Sequence, residues 1–159
     1  MRSSTSILRL DVADLERLLA RFAPPHLARP RVVREGDRLL LQVDALRLPT
    51  PLLPAFPASF ELKAGLVEGM RNVVAVRLQA EKLPLGLQAL ANPFLDKLVE
   101  RLLPPEAVAF VETRSPVLFW IYLERIPEHG RRFAEAVTLT RVTVPGRDGA
   151  AMEAEFEVK

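Results

Sequence analysis

"NVVAVRLQAEKLPLGLQALANPFLDKLVERLLPP", residues Asn72 to Pro105, changes its hydrophobic period once. In the first part Val74, Val76, Leu78 and Ala80 alternate with Arg77, Gln79 and Glu81, the period of two expected of a strand with one wet face. After the Leu83-Pro84 step, Leu87, Leu90, Ala91, Phe94, Leu95, Leu98 and Leu102 recur at helical spacing and form a broad apolar stripe. Pro93 interrupts this stripe. Either one helix from about Leu85 kinks there, or Asn92 caps a second helix with Pro93 at its first position. The stripe keeps its phase across the proline, which favours one long helix.

Outward from this stretch the chain is mostly strand. "SFELKAGL" sets Phe60, Leu62, Ala64 and Leu66 against Glu61 and Lys63. "VVREGDRLLLQV" reads as two strands joined around Glu35-Gly36-Asp37, with Leu39, Leu41 and Val43 on one face. Nearer the start, "LDVADLERLLARFAPP" predicts a short helix: Asp11 as N-cap, an apolar stripe of Val12, Leu15, Leu18, Leu19 and Phe22, and a stop at Pro24-Pro25.

Downstream, "AVAFVETR" leads into "PVLFWIYLERIP", where Val117 to Leu123 are all apolar or aromatic. A strand with one wet face alternates. This run does not, so its second face needs a cover: a helix, another subunit or a ligand. "PEHGRRFAEAV" is a charged connection with room for a helical turn. "VTLTRVTV" and "AAMEAEFEVK" form a hairpin around "PGRDG". The last strand alternates throughout, with Met152, Ala154, Phe156 and Val158 inward and Glu153, Glu155, Glu157 and Lys159 outward. The expected order is helix, four strands, long helix and about four more strands, an α+β class.

The composition narrows the function classes. A chain of 159 residues without repeats or linkers predicts one domain, 1–159. It is 49% hydrophobic and 26% charged, an ordinary globular balance. The 22 basic and 20 acidic residues leave a net charge of +2, without the clustered basic face of a nucleic-acid binder. No apolar run approaches the roughly 20 residues of a membrane-spanning helix, and the N-terminus has no signal-peptide core. With no cysteine, disulfides and thiolate metal sites are excluded. The expectation is a cytoplasmic protein.

Catalytic patterns do not emerge. His26 and His129 sit in connections with no second ligand at metal spacing, and neither a nucleophile elbow nor a phosphate-cradling loop occurs. Glu153, Glu155 and Glu157 share a face but lack the loop oxygens of a calcium site. Asp44 and Glu124, each within an apolar strand, are the acids to inspect for burial, with Arg47 or Arg125 as partners. The expectation is no enzyme, no cofactor and no metal.

The segment order resembles the tubular lipid-binding (TULIP-like) domains, in particular small bacterial proteins with that half-barrel layout. The resemblance runs through "DVADLERLLARF", "DRLLLQVDALRLP", "SFELKAGLVEG", the strand-Leu-Pro-helix unit above and "VTLTRVTVPGRDGAAMEAEF". It implies a curved antiparallel sheet wrapped around the long amphipathic helix, with a short N-terminal helix. It also implies a groove for a lipid or other long apolar ligand. The candidate lining is Leu90, Phe94, Leu98, Phe119, Ile121 and Phe156. The alternative expectation is a protein-interaction module or homodimer in which a partner covers the strand 117–123.

Overall fold

The computed structural model describes residues 4–22, 27–28, 30–46, 54–82, 99–100, 103–112 and 117–159. The chain opens with a strand, β1 (Ser4–Leu10), which the sequence reading did not anticipate. Helix α1 (Val12–Phe22) follows at once. Asp11 caps it, accepting a hydrogen bond from the Asp14 amide at 2.7 Å, and Asp14 reaches back to the Asp11 amide at 3.4 Å. This reciprocal arrangement satisfies donors that the first helical turn would leave unpaired.

The strands β2 (Leu27–Ala28), β3 (Arg31–Glu35), β4 (Arg38–Leu46), β5 (Phe56–Leu66) and β6 (Val73–Lys82) come next. A short 3-10 turn leads to β7 (Val108–Glu112) and β8 (Val117–Tyr122). Helix α2 (Gly130–Ala136) fills the charged connection, and β9 (Val137–Thr143) and β10 (Met152–Val158) close the chain.

These strands form two sheets. The larger has seven strands in the order β2-β4-β5-β6-β8-β7, with β3 also paired to β4; the smaller has the order β1-β10-β9. All the pairings are antiparallel. An isolated bridge between Ala64 and Val144 joins β5 to the chain just after β9.

This arrangement overturns the TULIP-like expectation and the fold that it implied. There are two open sheets, not one curved sheet rolled around a helix, and among the described residues α1 and α2 are short, with 11 and 7 residues. The helix expected over 85–103 falls largely on residues outside the described set. The closing hairpin, expected to complete the curved sheet, pairs with β1 and makes a sheet of its own. Among the described residues, no helix is long and apolar enough to cross a membrane.

The period-two readings of β5 and β6 hold in register. Phe60, Leu62 and Ala64 stand opposite Ala80, Leu78 and Val76, and the next strand adds Val117 and Phe119. Val43, Ala58, Phe60, Val76, Val99, Val117 and Phe119 form the main buried cluster. A second cluster unites Val32, Leu39, Val144 and Ala151 under Val12, Leu15 and Leu19 of α1. Leu18, expected in the helix's inward stripe, is exposed.

The apolar run 117–123 has a local explanation. β8 lies inside the large sheet between β6 and β7, and Val117, Phe119 and Ile121 face the core. On its other face Leu118, Trp120 and Tyr122 are half-buried. Trp120 stands between the small side chains of Ala75 and Ala109, and the Arg125 guanidinium lies 4.1 Å from the Tyr122 ring centre. Leu123 has already left the strand for a 3-10 turn.

Candidate functional site: an open strand edge with a charged face

Among the described residues, β1 is the outer edge of the small sheet. The opposite edge, β9, lies against β5. Antiparallel register places Ser4, Ser6, Leu8 and Leu10 on one face of β1, in line with Val158, Phe156, Ala154 and Met152. Thr5, Ile7 and Arg9 take the other face, in line with Glu157, Glu155 and Glu153. The sheet therefore has one apolar and one charged face. Ile7 is 51% exposed and Leu8 is 48% exposed, so large apolar side chains stand open on both faces of this edge.

The charged face is organised around Glu153. Although the sequence alternation points it to solvent, it is only 1% exposed. Its carboxylate accepts from Arg9 Nε at 3.0 Å, from Arg147 through both Nε (3.0 Å) and Nη2, and from Arg141 Nη2 at 3.4 Å. Arg141 also reaches Glu155 at 2.6 Å. The Arg147 hydrogen bonds, reinforced by Arg9, hold the Glu153 carboxyl below its ordinary pKa against the opposing effect of burial. Arg147 is correspondingly raised, chiefly by its hydrogen bond to Glu153. Arg34 fastens the β9–β10 turn that carries Arg147, donating to the Gly146 and Ala150 carbonyls.

The same logic recurs on the outer face of the large sheet. Burial works to raise the Glu61 carboxyl, but hydrogen bonds with Lys63, Glu81 and Arg38 outweigh it and keep the group low. Arg38 bridges Glu61, at 3.2 Å, and Glu81. Asp44 is exposed and pairs with Arg31 at 2.6 Å; Arg47, its expected partner, lies outside the described residues. Glu124 is exposed in a 3-10 turn. Among the described residues, no group of three or more His, Cys, Asp or Glu could hold a metal ion.

Of the candidate ligand residues, Phe119, Ile121 and Phe156 fall among the described residues. Phe119 and Ile121 border an apolar concavity of about 260 Å³ together with Leu15, Leu19, Leu39 and Val99. Phe156 belongs to the other sheet and is not part of that border. Leu90, Phe94 and Leu98 lie outside the described residues. With neither the curved sheet nor a described long helix to form a groove, the lipid-binding reading loses its structural basis.

Sequence reasoning missed β1 and the burial of Glu153. The first had a signal: Thr5, Ile7 and Arg9 alternate with Ser6, Leu8 and Leu10, and the capping Asp11 follows. The second did not show in the alternation, because Glu153 is enclosed by Arg9, 144 positions away, together with Arg147 from the preceding turn. Comparison with protein-family models, with curated proteins and with solved structures finds no match to this chain.

Proposed function

We propose that this chain is a non-catalytic protein-interaction domain that binds another polypeptide by extending its small sheet at β1. The observation that supports this most directly is the exposure of Ile7 and Leu8 on a seven-residue edge strand. Edge strands are ordinarily guarded by charge, proline or a bulge, since unpaired backbone groups recruit other strands. β1 has no proline, its pairing with β10 runs without a register shift, and its one charge, Arg9, is engaged by Glu153. Strand addition is a general mode of peptide and protein recognition.

The ionisable groups favour a non-catalytic reading. Glu153 and Glu61 are driven further into their charged forms, as are Arg147 and Arg38. General acids and bases are tuned the opposite way, toward neutrality. A cytoplasmic setting belongs to the same proposal and accords with the lack of cysteine in all 159 residues.

Native mass spectrometry, combined with amide exchange over Ser4–Leu10, tests the proposal. The expected result is an associated species in which β1 amides gain protection. A chain that remains monomeric at every concentration and carries no partner, with those β1 amides that point away from β10 exchanging freely, overturns it.

A further inference from the structure

We infer that the partner at this edge is a second copy of the chain, joined by antiparallel pairing of β1 with β1 about a two-fold axis at Ile7. This rests on the strand-addition reading above and specifies its partner.

β1 is self-complementary in size. In the register that pairs all seven residues, Ser4 faces Leu10 of the second copy, Thr5 faces Arg9, Ser6 faces Leu8, and Ile7 faces Ile7. The small residues fill the first half of the strand and the large ones the second half, so the two-fold sets small against large throughout. Within each chain Ser6 stands beside Phe156 and Ser4 beside Val158. Leu8 of one copy therefore falls in the same row as Phe156 of the other, separated only by a serine. Leu10 falls likewise in the row of Val158, which is itself exposed. Cross-strand apolar rows of this kind are what stabilise sheets.

The charges agree as well. Arg9 shares a row with Glu153 in its own chain and, through Thr5, with Glu157 of the second copy. Glu157 has no ion pair among the described residues, whereas Glu153 and Glu155 both do. The two Arg9 side chains oppose threonines, not each other, so like charges never meet across the axis. The result is one six-stranded sheet in which both β1 edges are consumed.

The chain contains no cysteine, so a single Ile7→Cys substitution reports on the axis without interference. Directly opposed residues bring their Cα atoms to about 4.5–5.5 Å, within the range of about 4.4–6.8 Å that a disulfide spans. The expected result is a disulfide-linked dimer from Ile7→Cys and little or none from Met70→Cys, an exposed site on the β5–β6 turn. Ile7→Lys sets two like charges on the axis and should convert the dimer to monomer in sedimentation equilibrium while leaving the circular dichroism unchanged. If Ile7→Cys does not cross-link and Ile7→Lys leaves association intact, this geometry is wrong although the chain still associates elsewhere. If β1 becomes protected only in a complex with a different protein, the second-copy inference fails and strand addition survives. A monomeric chain with no partner removes both.

Discussion

Asn72 and Leu139 are held together by a 2.8 Å hydrogen bond from the Leu139 amide to Asn72 Oδ1. The same side chain donates through Nδ2 to the Val137 carbonyl at 3.0 Å. Asn72 thus stitches the β5–β6 turn of the large sheet to β9 of the small one. It is only 2% exposed and adopts φ +55°, a left-handed conformation that asparagine tolerates better than most residues.

Replacing this residue separates two effects. Asn72→Gly removes the side-chain hydrogen bonds but accepts the backbone angle, while Asn72→Ala loses the bonds and adds strain. The lost bonds should cost about 1–3 kcal/mol in both variants, since each leaves partly buried backbone groups of Val137 and Leu139 unpaired. Alanine should be lower still by about 1–2 kcal/mol from its Cβ in the left-handed region. Urea denaturation midpoints of the two variants check the order.

The core of the large sheet should respond far more than its surface. Phe60 is 2% exposed amid Val43, Val76 and Phe119, so Phe60→Ala should destabilise the fold by about 3–5 kcal/mol. Val111→Thr, at a half-exposed position of β7, should remain within about 0.5 kcal/mol of the parent. Equal losses in chemical denaturation would contradict the assigned core.

Gly130 begins α2 where space is short. A Cβ there would lie 2.2 Å from the Leu123 carbonyl oxygen and 2.9 Å from Ile126 Cβ. Since the first of these atoms is backbone, it cannot simply rotate away. Gly130→Ala should therefore cost about 1–3 kcal/mol despite alanine's better helix propensity. Thermal melting provides the measurement, and a stabilised variant would refute the packing of the turn against α2.

Acid should weaken the fold through Glu153. Its pKa is lower in the folded chain than in the unfolded one, because Arg147 and Arg9 favour the carboxylate. The resulting stability is fully present above the unfolded value of about 4.3 and disappears as pH falls through the folded value. Glu61 acts in the same direction. Melting temperature should therefore fall below about pH 4.3. In Glu153→Gln that fall should be shallower, from a baseline already reduced at neutral pH by the uncompensated Arg9 and Arg147, while Arg141 keeps Glu155. Added salt should recover part of that baseline by screening these two cations.

Legibility in the sequence followed the range of the interactions. Helix α1 was readable because its cap and its stop are local: Asp11 and Asp14 are three residues apart, and the prolines follow the last turn. β5 and β6 were readable because a repeat of two identifies which residues share a face. The same repeat misled at β10. A register shift between Glu155 and Phe156 interrupts the regular ladder with β9, and residues from β1 and the 145–151 turn cover the Glu153 side that the pattern assigned to water. The candidate site shared that fate, for a strand's position at an edge depends on what pairs with it.

By itself, the sequence determined the α+β class, the first helix with its cap, the inward faces of β5 and β6, and the exclusion of disulfide and thiolate chemistry. Only the tertiary structure decided that the strands divide into two sheets, that β1 joins the closing hairpin, that Glu153 is enclosed by arginines, and that Ile7 and Leu8 stand on an open edge. The physical reason is that periodicity records how each segment meets water on average, whereas strand partners are selected by contacts between residues as distant as Arg9 and Glu153.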